Sequence, residues 1–221
     1  MRLNKFVAQA SGHSRRQADE LISAGRITVN GLPARLGQSL AETDSVALDG
    51  QALSQPMLVY LLLHKPAGYV TSRSGQGAPT VYELLPAEYR LLNSVGRLDK
   101  DTSGLLLFSN DGDWAQSLTH PRHAKAKIYE VELDRDLSDE DRQGLERGVK
   151  LEDGLSRLEF IASADPRHHT IRLRTGRNRQ IRRTFSALNR GIVRLHRTEF
   201  GPYRLNGLKS GQFKEVEKPD V

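Results

Sequence analysis

The period of the apolar positions changes several times along this chain, and each change marks an element. Leu3, Phe6, Val7 and Ala10 recur at three and four residues, which predicts a helix over residues 2–10 ended by Gly12. Ser14 and Gln17 form a capping-box pair, and Ala18, Leu21 and Ile22 give a second helix its apolar stripe, closed by Gly25. Arg26–Val29 reads as a strand, Asn30–Gly31 as a tight turn and Ser45–Leu48 as a further strand. Residues 1–50 thus read as a small helix–helix–strand unit. Residues 51–56, with Gln, Ser and Pro, read as a linker to a larger unit over 57–221.

In that larger unit Met57–Leu63 is an apolar strand, ended by the turn Lys65-Pro66-Ala67-Gly68. Residues 71–80 read as a flexible loop, and Thr80–Leu85 as the start of a short helix. Leu105–Phe108 is a four-residue apolar run between turn residues, the mark of a buried strand, and the polar loop Gly96–Gly104 leads into it. Trp114–Leu118 is helical, and His120–His123 breaks the helix. Lys127–Leu133 alternates strictly, with Tyr129, Val131 and Leu133 on one face. An amphipathic helix over 137–149 opens near Ser138 or Asp139, and Ile181, Phe185 and Leu188 define another helix that ends at Asn189–Gly191. Residues 158–162, 170–173 and 192–195 read as strands, and the tail from Pro219 as frayed.

Composition narrows the function. The 221 residues include no cysteine, which excludes a disulfide framework, a thiolate metal site and a cysteine nucleophile. No apolar run approaches the roughly 20 residues of a membrane span, and the N-terminus lacks a signal-peptide core, so a soluble, cytoplasmic protein is expected. The net charge is +6, and its distribution is uneven. Residues 167–197 hold ten arginines and no acid, a block suited to forked hydrogen bonding to phosphate and hence to nucleic acid. Residues 1–36 carry six Lys/Arg against two Asp/Glu. Arg15 and Arg16 stand in the first turn of a predicted helix, where positive charge opposes the helix dipole and an external anion gives it a reason.

Asp99, in the polar loop beside the buried strand, is the candidate reactive group, because a carboxylate fixed by rigid scaffold suits acid, base or nucleophile work. The same loop mimics half of a calcium site, but its twelfth place is Asn110 rather than Glu, and no metal is expected. The histidines fall in no metal-binding motif.

Two resemblances sharpen this reading. Arg2-Leu3-Asn4-Lys5-Phe6, Gly12, Ser14-Arg15-Arg16, Ala18, Ile22 and Gly25–Gly31 resemble the S-four RNA-binding module. Gly96-Arg97-Leu98-Asp99-x-Asp101-Thr102-x-Gly104-Leu105-Leu106 resembles the signature of ribosomal-type pseudouridine synthases, specifically the small-subunit synthase A family. Lys65-Pro66-x-Gly68-Tyr69-Val70-x-Ser72, Ser109–Gly112, Lys127-x-Tyr129-x-Val131 and Gly176-Arg177-x-x-Gln180-Ile181-Arg182-Arg183 with Val193-x-x-Leu195-His196-Arg197 agree in order. The likeness covers about residues 1–215. It implies an α+β fold with a mixed, largely antiparallel sheet behind the small module, and no cofactor.

It also implies roles. Asp99 is the catalytic aspartate, Tyr129 stacks on the target base, Arg182 pairs with the Asp99 carboxylate, and Leu195 lines the pocket. Arg97, Arg177, Arg179, Arg183, Arg197 and Lys65, with Arg15 and Arg16 of the module, are the candidate RNA contacts. The implied reaction breaks an N-glycosidic bond, turns the uracil and rejoins it through carbon. A stacked uridine must first be flipped out, and an aromatic face replaces its lost stacking. The partner is ribosomal RNA or a subunit assembly intermediate, met by a monomer. Arg15–Arg16 and the sequence from Lys65 to Tyr69 lean toward the large-subunit branch. A small-subunit enzyme, a non-catalytic RNA-binding or assembly protein on the same fold and a base-excising N-glycosylase are the rival readings.

Overall fold

The computed structural model describes residues 1–75 and 77–218, so the frayed tail expected from Pro219 lies outside the described residues. The chain forms two compact units, Met1–Val59 and Tyr60–Val221.

In the first unit α1 (Leu3–Ser11) ends at Gly12 with φ 73°, and α2 (Arg15–Ser23) starts at a complete capping box. Ser14 Oγ accepts from the Gln17 N–H at 3.2 Å, and the Ser14 N–H donates to Gln17 Oε1 at 2.8 Å. Four short strands follow: β1 (Ile27–Val29), β2 (Leu32–Pro33), β3 (Val46–Leu48) and β4 (Gln51–Leu53), in the order β2-β1-β3-β4. The core joins one face of each helix to the sheet through Leu3, Val7, Ile22, Ile27 and Val46. Strand β4 corrects the expected linker, whose first half, residues 51–53, pairs with β3. Asp49 and Gly50 take positive φ of 48° and 81°, and this tight turn returns the chain onto β3 despite the polar sequence.

The second unit is built on one large sheet. Its elements are β5 (Tyr60–Lys65), β6 (Asn93–Val95), β7 (Thr102–Ser109), α3 (Gly112–Thr119), β8 (Lys127–Leu133), α4 (Asp139–Arg147), β9 (Val149–Leu151), β10 (Gly154–Ser156), β11 (Glu159–Asp165), β12 (His168–Leu173), α5 (Gln180–Ser186), β13 (Ile192–Phe200), β14 (Tyr203–Arg204) and β15 (Phe213–Glu215). The strand order is β11-β12-β8-β13-β7-β5-β15, with β6 added on β7 and β14 on β13, while β9 and β10 form a separate hairpin. Among the described residues every ladder of the large sheet is antiparallel except β7–β13, so the fold is α+β with a mixed, largely antiparallel sheet. The core on one face of β7 gathers Leu105, Leu107, Trp114, Leu118 and Phe200.

Three differences from the sequence reading have physical causes. Strand β7 begins at Thr102, so part of the polar loop is already sheet. Strand β13 runs through His196 and Arg197, both buried, each with one bond to β7: His196 Nδ1 with Ser103 Oγ at 2.8 Å, and Arg197 Nε with Leu105 O at 2.8 Å. The loop expected to be flexible is tied down around Arg73, whose guanidinium donates to the carbonyls of Arg90, Leu91 and Leu92, each at 3.0 Å, and lies over the Tyr82 ring.

The parallel ladder sets Leu195, His196 and Arg197 opposite Thr102, Ser103 and Gly104. A Cβ on Gly104, where φ is 112°, would meet Arg197 O at 2.2 Å and Arg197 N at 2.5 Å. Gly104→Ala is therefore expected to cost at least about 2 kcal/mol, from backbone strain and overpacking together, read from urea unfolding; an unchanged unfolding curve would contradict the close approach. His196 supplies a pH signature. Burial first, then Arg194 and His64, lowers its pKa from 6.5 to about 4. The unfolded chain takes up this proton near 6.5 while the folded chain does not, so stability falls as pH drops through 6.5 toward 4 and then levels off. The loss amounts to roughly 2–3 kcal/mol. His169, also lowered by burial, acts in the same direction. His196→Asn should remove most of the His196 share, measured as the difference between urea midpoints at neutral pH and near pH 4.5.

Candidate active site

Asp99 lies just before the first residue of β7, in a turn closed by the Thr102 N–H donating to Asp99 O at 3.1 Å. The turn is bound from below. Lys65, the last residue of β5, is fully buried, and its ammonium reaches the carbonyls of Thr102 at 2.6 Å, Pro66 at 3.0 Å, Asp99 at 3.2 Å and Lys100 at 3.3 Å. Gly68 N–H donates to Lys100 O at 2.8 Å, and Thr71 Oγ1 donates to Leu98 O at 2.9 Å. Lys65, expected from sequence to be an RNA contact, is instead a buried brace. The carbonyls of a tight turn need donors where water cannot reach, and the ammonium supplies them. Its burial draws its pKa down to about 8, against the opposing pull of Asp101 and Asp99.

Above the turn opens a cleft of about 630 Å³, within the size range of small-ligand sites. Among the described residues its walls carry eight Lys and Arg side chains and one carboxylate, that of Asp99. Tyr129, 7% exposed, enters from β8, and Leu195, 4% exposed, from β13; β13 pairs with β8 and β7, which brings these residues to the same wall as Thr102. Arg97 is exposed on the wall. Asp99, Tyr129, Arg182, Arg97, Leu195, Arg177, Arg179 and Arg197 of the sequence-derived set all line this cleft.

The ion pair differs from the expected one. Asp99 Oδ2 faces Arg179 Nη1 at 3.8 Å, with both side chains part exposed. Arg182 instead donates to two main-chain carbonyls, Asp101 O at 3.0 Å and Ile192 O at 3.3 Å. The local fold explains the exchange. Arg179 begins α5 in the left-handed region, φ 44°, which a non-glycine residue adopts at a cost and which here directs its side chain at the acid. Arg182 sits inside the helix and is drawn under the turn, where burial and the nearby Arg179 lower its pKa. Both cations act on the same loop, one at its carboxylate and one at its backbone.

Two other arginines leave the RNA-contact set in the same way. Arg177 donates to Asp153 O at 2.7 Å and Leu155 O at 2.9 Å, and Arg183 to Asp153 Oδ2 at 2.6 Å. Their charge tethers the β9–β10 turn, and Arg183 does not reach the cleft wall. Arg197 lines the cleft but is 2% exposed. Arg15 and Arg16, in the first unit, are exposed as expected.

Several lining residues escaped the sequence reading: Thr102, Lys125, Lys127, Arg174 and Phe200. The period-2 alternation of β8 already put Lys127 on the face of Tyr129, which is the signal that was available. Gln180 was equally silent as an organiser. It is 3% exposed, its Oε1 accepts from Thr175 Oγ1 at 2.8 Å and Arg177 N at 3.2 Å, and its Nε2 donates to Ser156 Oγ at 3.0 Å.

Comparison with known proteins places the chain in a family. The family profile described as RNA pseudouridylate synthase matches residues 59–187, and that of the S4 domain matches residues 1–46. Ribosomal large subunit pseudouridine synthase B of Bacillus subtilis (strain 168) is 34% identical over 228 residues, covering 100% of this chain and 93% of the relative. Ribosomal small subunit pseudouridine synthase A of Escherichia coli (strain K12) is 35% identical over 230 residues, covering 100% and 98%. A crystal structure of a pseudouridylate synthase superposes with a TM-score of 0.70 at 28% identity, over 98% of this chain and 96% of that one. With the profile spanning more than half its length and full-length relatives above 30% identity, the chain belongs to the RNA pseudouridylate synthase family.

Proposed function

We propose that this chain isomerises a uridine of ribosomal RNA to pseudouridine, with Asp99 as the group that acts on the nucleotide. The observation that carries the reading is the cleft itself, with one carboxylate among eight cationic side chains and Tyr129 in the same wall. A polyanion is drawn to such a cleft, and its single acid is left for chemistry on the bound nucleotide. Arg179 faces that acid at 3.8 Å, and Arg182 fixes the backbone that carries it. The ring of Tyr129 offers a flipped base the stacking it loses from the helix. Leu195 closes the wall with apolar surface.

The division of labour follows the two units. Residues 57–221 carry the chemistry, and residues 1–50, matched by the S4 profile and bearing exposed Arg15 and Arg16, bind RNA around the target. Each chain works as a monomer in the cytoplasm on ribosomal RNA or a subunit assembly intermediate. The relatives named for the large and for the small subunit match almost equally well. The sequence of Arg15–Arg16 and of Lys65 to Tyr69 is what favours a large-subunit target.

Asp99→Asn should abolish pseudouridine formation while leaving RNA affinity within about threefold, since Asn keeps the size of the side chain and loses its charge. Product from the Asn variant would remove Asp99 from the chemistry. Deleting the gene and mapping pseudouridine in both ribosomal RNAs should show the loss of one site, and its position names the subunit. An unchanged map would leave a binding protein on an enzyme's fold.

A further inference from the structure

Two of the cleft's cations, Lys127 and Arg197, have a local arrangement beyond their share in its overall charge. Lys127 stands two residues before Tyr129 on β8, on the same face, one pleat or roughly 7 Å along the strand. Across the ladder Arg197 is opposite Tyr129, and Phe200 is opposite Lys127. Lys127 Nζ and Arg197 Cζ each lie 5.0 Å from the centroid of the Phe200 ring. Both side chains line the cleft, and neither forms an ion pair among the described residues.

Each is also short of partners. Arg197 is 2% exposed, its Nε is used on Leu105 O, and its buried Nη2 has no partner among the described residues. Lys127 Nζ reaches the carbonyls of Lys125 and Thr175 only at 3.3 and 3.4 Å. Burial first, then the repulsion of Arg197, pulls the lysine's pKa down to about 8. The two positive charges repel each other, and the Phe200 face and the long carbonyl contacts offset this only in part.

We propose that Lys127 and Arg197 form a seat for one phosphate of the target nucleotide, so that a base against Tyr129 has its backbone anion gripped one pleat away. This rests on the uridine reading of the cleft. Two uncompensated charges call for an anion, and a neutral uracil oxygen would leave both unmatched, whereas a phosphate offers charge-assisted bonds to each. Gly176 lies beside the ammonium, where an added Cβ would come into van der Waals contact with Lys127 Nζ at 4.0 Å. The seat fixes the ribose relative to Asp99 by holding one end of the nucleotide while Tyr129 holds the other.

The test uses full-length protein and four probes: uridine, uridine 3′-monophosphate, uridine 5′-monophosphate and inorganic phosphate. Binding is read from amide NMR shifts around residues 127–129 and 197–200. At least one monophosphate should bind about tenfold more tightly than uridine, Lys127→Met should erase that preference, and Lys127→Arg should keep it. Equal binding of uridine and both monophosphates, or a preference that survives in the Met variant, overturns the seat. Inorganic phosphate that binds these residues more tightly than either nucleotide marks an adventitious ion only and overturns it as well. Pseudouridine formation on ribosomal RNA is followed in parallel. No product from the wild type sinks the uridine reading, while product without a monophosphate preference sinks the seat alone.

Discussion

The site depends on a buried ammonium. Lys65 has no exposure to solvent, and its Nζ collects carbonyl oxygens from both sides of the turn that presents Asp99. A turn of this tightness leaves main-chain oxygens pointing inward without sheet partners, and each would be costly to bury alone. One cation answers several of them and joins the end of β5 to the start of β7. Arg182 performs the same service from the opposite side, through Asp101 O. The aspartate is therefore held through its backbone, and its carboxylate stays free to face Arg179 and the cleft.

Charge in this protein does two kinds of work, and the arginine-rich segment contains both. Arg177 and Arg183 are bound to Asp153 and act as tethers. Arg190 is similarly bound to Asp141 on α4. Arg97, Arg174 and Arg179 are exposed on the cleft wall and give it its field. An arginine fork serves either purpose, because it matches a carboxylate in the fold as well as a phosphate outside it. What separates the two groups is whether an acid from another element lies within hydrogen-bond distance, as Asp153 and Asp141 do, whereas Asp99 only faces Arg179 at 3.8 Å; that is a property of the folded chain.

This is also where the legibility of the sequence ends. Helices with caps and stripes, such as α1 and α2, are written locally, as are the alternation of β8 and the short apolar run of β7. The glycine-bracketed loop and its aspartate stand out for the same reason. Strands β4, β6, β14 and β15 are two or three residues long, and tertiary pairing rather than their own pattern makes them strands. The second half of β13 was hidden because its buried residues include His196 and Arg197, polar side chains that each bond across to β7. Lys65 misled for the same reason: a lysine in a Lys-Pro-x-Gly turn reads as surface until the carbonyls above it are in place. The exchange of Arg182 for Arg179 at the acid turns on one backbone angle, which no spacing rule encodes.

The single parallel ladder has a consequence for how the protein is made. The bond from Arg197 to Leu105 O spans 92 residues of sequence, and the wall that faces Asp99 is completed only when β13 slots between β7 and β8. The first unit, whose contacts are local, has all it needs to fold once its own residues leave the ribosome. The cleft has to wait for nearly the whole chain. During synthesis the residues of the N-terminal unit leave the ribosome well before β13, so the smaller unit precedes the cleft in time.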